Sequence, residues 1–138
     1  MPLLAAGAEG TRTSRAALEE LGRRVEAAAP ETLVVVEPHG LLVEGSIALL
    51  DTPRVAGATR APPEPGATPH GFSLEHEVDR PLNAAIVEAA RAGGAPAARV
   101  RNFLEFLPLP IDYGAMVPLL FLAAHLRPAP RVVVASIP

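Results

Sequence analysis

The chain has 138 residues, a formal net charge of −3 and 49% hydrophobic residues, which fits one domain with a buried core and excludes a disordered polyanion. It contains no Cys, and all 12 of its basic residues are Arg. Disulfide scaffolds, thiolate metal sites, Schiff-base lysines and the lysine of a phosphate-binding P-loop are therefore excluded. The acidic balance argues against general binding to nucleic acid or a membrane, and the absence of a long apolar span or signal peptide predicts a cytoplasmic protein.

The first half of the chain predicts a helix followed by two strands. Apolar residues recur at helical spacing over residues 14–29, with Thr13 or Ser14 as the N-terminal cap. The apolar, valine-rich run at residues 33–36 is typical of a strand buried on both faces of a parallel sheet, and a second strand is predicted within residues 45–50. Pro and Gly residues then predict a long irregular segment over residues 53–73.

The second half alternates helices and strands. Asp79 is predicted to cap a second helix that Gly93 and Gly94 end, and residues 97–101 follow as a strand. A third, strongly apolar helix is predicted after Asp112-Tyr113-Gly114 and runs to about Leu126, before a final valine-rich strand at residues 131–136.

This order of elements predicts an α/β fold with a mainly parallel or mixed central sheet flanked by helices. Such a fold normally opens with a strand, but here the first element is a helix and the last strand has no helix after it. We therefore expect a single, apparently partial domain over residues 1–138.

The four histidines are the first candidates for chemistry. His39 lies in a Pro-His-Gly turn directly after the valine-rich strand, and ligands of open α/β sheets bind at the carboxyl ends of strands. The alternative for His39 is a turn residue that bonds only nearby backbone. His70 and His76 are predicted to be solvated loop residues, and His125 a structural residue favoured by the C-terminal dipole of the third helix. The four show no metal-ligand spacing.

Asp112, Tyr113 and Gly114 stand at the start of the third helix. Asp112 is expected to cap that helix, and Tyr113 is the only tyrosine of the chain. The serines lack the context of a nucleophile elbow and the glycines lack phosphate-loop spacing, which weakens hydrolase and nucleotide-binding interpretations.

Five segments, taken in order, resemble the catalytic subunits of the class III extradiol ring-cleavage dioxygenases. They are residues 31–40, 47–57, 79–92, 111–119 and 132–136. The most specific are the valine-rich strand that ends in Pro-His-Gly and the segment Asp-Tyr-Gly-Ala-Met-Val-Pro-Leu. The resemblance extends over nearly the whole chain but covers only the N-terminal half of such a catalytic subunit.

The resemblance implies non-haem Fe(II) held by two His and one carboxylate, with an aromatic diol and O₂ bound side by side. On this match His39 is the second metal histidine, and Asp112, Tyr113 and Gly114 contact the substrate. Tyr113 occupies the position of a substrate-proximal histidine, where a phenol of pKa near 10 is a poor proton shuttle at neutral pH. The family's first metal histidine would lie just before Met1, which raises the expectation of an upstream start. Its carboxylate ligand and acid/base histidine belong to the other half.

Two hypotheses follow. In the first, the chain is an extradiol-type dioxygenase fold that is inactive alone, because the missing groups come from another chain or were lost by truncation. In the second, it is a non-catalytic binding or assembly module that retains the fold. The neighbourhood of His39 and the iron content discriminate between them. The unpaired strand edges and apolar faces of half a fold also predict a homo-oligomer or a complementing subunit.

Overall fold

The computed structural model describes residues 11–60 and 71–138. Within these ranges the chain forms three helices, α1 (Arg12–Ala28), α2 (Arg80–Ala92) and α3 (Tyr113–Leu122). The strands there are β1 (Thr32–Glu37), β2 (Ile47–Leu50), β3 (Arg54–Arg60), β4 (Gly71–Glu77), β5 (Ala97–Val100), β6 (Leu109–Pro110) and β7 (Arg131–Ser136).

The strands form two sheets. The main sheet has the order β1-β7-β2-β5, in which β1 and β7 are parallel, β2 and β5 are parallel, and β2 runs antiparallel to β7. The smaller sheet has the order β4-β3-β6 and is joined to the main one by a bridge between Val78 and Val132. The predicted α/β fold with a mixed sheet and flanking helices is confirmed.

The core lies on both faces of the main sheet, because the side chains of β7 alternate between them. Val132 and Val134 pack with Ala115 and Leu119 of α3 on one face. On the other face Val133 and Ala135 pack with the cluster that contains Val87 of α2. Burial of a continuous run of valines on both faces explains why β7 has no polar alternation.

The cap of α2 is confirmed. The Asp79 carboxylate accepts the Leu82 amide at 3.0 Å and the Thr32 hydroxyl at 2.7 Å, and Pro81 lies in the first turn. The hydroxyl of Thr32 is the main reason that the pKa of Asp79 lies below its usual value. The same carboxylate therefore ties the start of α2 to the start of β1.

The ends of the other two helices differ from prediction. Helix α1 begins at Arg12 with Thr11 at the N-cap, so the prediction of Thr13 or Ser14 as the cap is wrong. Helix α3 ends at Leu122, short of the predicted Leu126. Its last turn unwinds because the amides of residues 123 and 124 both donate to the Leu119 carbonyl.

The prediction of an irregular segment over residues 53–73 is also wrong for the part that the structure describes. Strands β3 and β4 pair in antiparallel register, and β6, which was not predicted, joins β3. The proline content led to the wrong prediction because a proline was taken to exclude a strand. Pro53 precedes β3 and does not interrupt it. Gly57 lies inside the strand, where an added Cβ would lie 3.0 Å from Met116 of α3, so this glycine permits close packing.

Strand β1 lies at an edge of the main sheet, so the prediction that residues 33–36 are buried on both faces is wrong. Leu33 and Val35 pack against the core that contains α3, but Val34 and Val36 are 54% and 59% exposed. Helix α2 covers β5 and β7 on that second face and leaves these two valines in solvent. Along the described chain, the helices are all too short or too polar to span a bilayer.

Candidate functional site

His39 and Tyr113 meet at the carboxyl end of β1. His39 follows that strand in the Pro-His-Gly turn, and Tyr113 is the first residue of α3, which packs against β1. Their ring centroids are 5.2 Å apart with the planes inclined by 35°. Both rings are exposed, so two polar groups from distant segments face solvent together at one edge of the sheet.

Asp112 shapes the start of α3. Its Oδ1 accepts the Gly114 amide at 2.7 Å, as predicted for a cap residue. This bond fixes the backbone on both sides of Tyr113. The segment that the sequence singled out therefore meets His39 through the ring of Tyr113.

Glu37 is a component of this region that the sequence analysis missed. It is the last residue of β1, only 2% exposed, and lies between two glycines. A Cβ added at Gly40 would overlap Glu37 Oε1, and one added at Gly114 would overlap Glu37 Oε2. The absence of both Cβ atoms thus makes the space that the carboxyl group occupies.

The environment of Glu37 favours its protonated form. Burial first, and then a hydrogen bond and the charge of Asp112, raise the pKa of Glu37 to about 7, while the Ala115 amide acts in the opposite direction. Two carboxyl groups therefore lie behind the exposed pair of His39 and Tyr113, and near neutral pH Glu37 carries a proton for part of the time. The sequence signal was a carboxylate at the end of an apolar strand, where a charge needs a partner.

A second buried polar group stands beside Glu37. The Ser136 hydroxyl, at the end of β7, is buried without a hydrogen-bond partner among the described residues. An added Cβ at Gly40 would overlap this oxygen as well. The ends of β1 and β7 thus place a carboxyl and a hydroxyl against one glycine.

The described residues do not make a three-ligand iron site. Among them there is no group of three His, Cys, Asp or Glu side chains close enough to hold a metal ion. The facial set of two His and one carboxylate that the resemblance implies for Fe(II) is therefore not assembled by residues 11–60 and 71–138. His39 is the one predicted metal ligand in this region.

The remaining histidines lie away from this region or outside the described residues. His76 is buried in β4 with its Nδ1 3.2 Å from the Pro130 carbonyl oxygen, so the prediction of a solvated loop residue is wrong. The strand alternation of β4 turns His76 inward between two exposed glutamates. His125 lies beyond the end of α3, with Nε2 3.9 Å from Glu26 Oε2, and His70 lies outside the described residues.

Comparison with known proteins decides the family. Residues 5–138 match the family described as the catalytic LigB subunit of aromatic ring-opening dioxygenase. The chain belongs to this LigB family. The resemblance drawn from the Pro-His-Gly and Asp-Tyr-Gly segments is thereby confirmed at the level of the family.

One curated relative is much longer than this LigB-family chain. Protein CA_C1420 of Clostridium acetobutylicum is 26% identical over 115 residues, which cover 79% of this chain and 23% of that protein. The chain therefore spans about a quarter of the length of the relative it matches.

Proposed function

We propose that this protein takes part in the oxygen-dependent opening of catechol-type aromatic rings, and that the segment around His39 and Tyr113 forms the diol-binding side of the site. The family match over residues 5–138 supports the reaction class. The observation that carries the assignment to this edge is the contact between the His39 and Tyr113 rings, 5.2 Å apart, at the carboxyl end of β1.

In this proposal the residues of the chain have distinct tasks. The Tyr113 hydroxyl donates a hydrogen bond to one oxygen of the diol, and His39 is the residue of this chain that would hold iron beside it. Asp112 and Gly114 hold the turn that presents Tyr113, through the bond from the Gly114 amide to Asp112 Oδ1. Glu37 sits behind them and, when protonated, adds no negative charge that would repel a diolate.

Iron is part of the proposed activity, but the described residues do not make an iron site by themselves. The described residues do not supply a facial set of three ligands, so iron binding needs groups from outside residues 11–60 and 71–138. We propose that a complementing subunit supplies these groups. The isolated chain is then expected to bind the diol and to lack ring-cleavage activity.

Binding of the diol is tested directly, because Tyr113 is the only tyrosine and its ring gives the only tyrosine signals in a ¹H–¹³C NMR spectrum. Titration with catechol should shift these signals and those of His39. Tyr113→Phe keeps the ring and removes the hydroxyl, and should weaken binding by about tenfold, as expected for loss of one hydrogen bond to a buried or charged partner. Resorcinol, whose hydroxyls are farther apart, serves as the ligand control.

If catechol leaves both ring signals unchanged at millimolar concentration, or binds the Phe variant equally well, the proposed diol site is wrong.

The incompleteness of the site has its own test. The purified chain should give no ring-opened product from catechol or protocatechuate when loaded with Fe(II) anaerobically and then exposed to O₂. Product above the metal-only control that disappears in His39→Ala would show instead that this chain alone carries a complete site.

A further inference from the structure

A cluster of three arginines lies at the opposite edge of the main sheet from His39. Asp51 follows β2 directly, Arg99 and Arg101 lie in and after the parallel neighbour β5, and Arg80 is the first residue of α2. Because β2 runs antiparallel to β7, the carboxyl ends of β2 and β5 face away from the carboxyl ends of β1 and β7. The arginine cluster, defined as Arg80, Arg99 and Arg101, is thus separate from the proposed diol site.

Asp51 lies at the centre of the cluster but accepts only part of the hydrogen bonds that the three arginines can donate. The carboxylate is fully buried and takes one close hydrogen bond, from Arg101 Nε at 2.8 Å. Arg80 Nε and Arg99 Nη1 each lie 3.7 Å from the carboxylate, which is beyond hydrogen-bond distance. Each guanidinium offers five N–H donors, so Arg80 and Arg99 keep donors that Asp51 does not use.

The charge around Asp51 is unbalanced. Three guanidinium groups surround one buried carboxylate, and the only other acid within ion-pair distance among the described residues is Glu105, 3.9 Å from Arg80 and itself exposed. The side chains of Arg80 and Arg99 are 36% and 40% exposed, so solvent reaches the surplus positive charge. Asp51 and Glu105 together offset two of the three guanidinium charges, and one positive charge is left to attract a further anion.

We propose that the arginine cluster binds a small anion with two or more oxygen atoms, such as phosphate or a dicarboxylate. Planar guanidinium forks match the spacing of oxygens in phosphate and carboxylate groups, and the buried Asp51 holds the cluster in place from beneath. The carboxyl ends of a parallel strand pair are also the usual location for ligands in such sheets. This site is independent of the proposed ring-opening function.

The test uses the whole chain and two probes, inorganic phosphate and malonate, titrated separately at constant ionic strength set with NaCl. Binding is measured by calorimetry and by the arginine Nε–Hε NMR signals. We expect saturable binding that perturbs the three signals of the cluster, and a dissociation constant raised at least about tenfold by Arg99→Gln or Arg80→Gln. The tighter of the two probes identifies the source of the anion as a phosphate or a carboxylate.

Arg24→Gln is the matched control, because Arg24 pairs with Glu20 on the exposed face of α1 and its removal changes the net charge equally. Arg99→Lys keeps the charge but loses the fork, and should give intermediate affinity. Equal weakening in Arg24→Gln, or shifts spread over all arginine signals, would mean general charge screening and overturn the proposal. So would the absence of saturable binding by both probes. The wild-type NMR map decides the question even if a variant at position 80 or 99 fails to fold.

Discussion

Strands β1 and β7 are neighbours in one sheet and have similar valine-rich sequences, yet their burial is opposite. The five residues 132–136 of β7 are all buried, whereas only Glu37 is buried in β1. The register pairs Val34, which is 54% exposed, with Val133, which is fully buried. A valine on the same face of the sheet is therefore exposed in β1 and buried in its neighbour β7.

The difference comes from the neighbours of each strand. β7 has a strand on either side and a helix over each face, whereas in the described part of the chain β1 has one paired edge and α3 over one face only. Composition indicates that a segment is a strand, but the number of elements packed around it determines its burial. The following expectations separate the contributions of the two strands.

The largest effect is expected at Glu37, where β1 ends in the core. Its pKa of about 7 in the folded protein exceeds the value of 4.5 for an unperturbed glutamate, so the folded state retains a proton that the unfolded state loses. The resulting stability is fully present below pH 4.5 and is lost as pH rises through 7. The free energy of unfolding should fall by about 3 kcal/mol over this interval.

Glu37→Gln keeps the size of the side chain and removes its titration. Urea unfolding at several pH values should therefore show the loss of stability between pH 4.5 and about 7 in the wild type and its absence in the variant. A wild-type profile that is flat over this range, or identical in the two proteins, would contradict a buried, protonated Glu37.

The second effect compares the paired valines directly. Val133→Ala removes two methyl groups from a fully buried site and should cost about 2 kcal/mol, whereas Val34→Ala should cost less than about 0.5 kcal/mol. Urea unfolding of the two variants measures the difference, and each serves as the control for the other. Similar losses would mean that another surface covers β1 in solution.

That possibility leads to the third expectation, which concerns self-association. Among the described residues β1 has no strand on its outer edge, and together with the exposed Val34 and Val36 this edge forms an apolar strand surface of the kind that pairs with another copy. Sedimentation at micromolar concentration should show a species heavier than the monomer. Replacing both valines with Thr, which keeps the β-branched shape, should weaken association by about tenfold. A monodisperse wild-type monomer would rule this surface out.

The smallest effect is expected at His39. The ring is exposed and its described contact is with the Tyr113 ring, so His39→Ala should change the free energy of unfolding by less than about 0.5 kcal/mol. A loss of more than about 1 kcal/mol in thermal or urea unfolding would assign His39 a structural role instead.

Periodicity and capping chemistry were sufficient for much of the fold. Strand β7 has the bounds that its valine run predicts, and Asp79 and Asp112 cap α2 and α3 as their positions before apolar helices predict. These are local signals, carried by residues within one turn or one strand. The proximity of His39 to the Asp112 segment came only from the family resemblance, since nothing local relates residues so far apart.

Apart from the ends of α1 and α3, the missed features are nonlocal. The hairpin of β3 and β4 depends on pairing across the chain, which proline content obscures. The burial of His76 depends on which face of β4 meets the core. A segment predicted to be a loop has no such face, so the burial of His76 could not be predicted. Glu37 was missed as a buried acid because its cavity is made by two glycines, Gly40 and Gly114, that are distant in sequence. Such a space is visible only after folding.

The antiparallel step between β7 and β2 has a consequence for measurement. It directs the carboxyl ends of the two parallel pairs to opposite ends of the sheet. The Tyr113 ring and the guanidinium groups of Arg99 and Arg101 are therefore on opposite sides of the molecule. A six-residue strand such as β7 is about 20 Å long, so NMR signals from the two ends of the sheet report on well-separated sites. Ring signals and arginine signals can therefore be followed in a single sample, each as the other's internal reference.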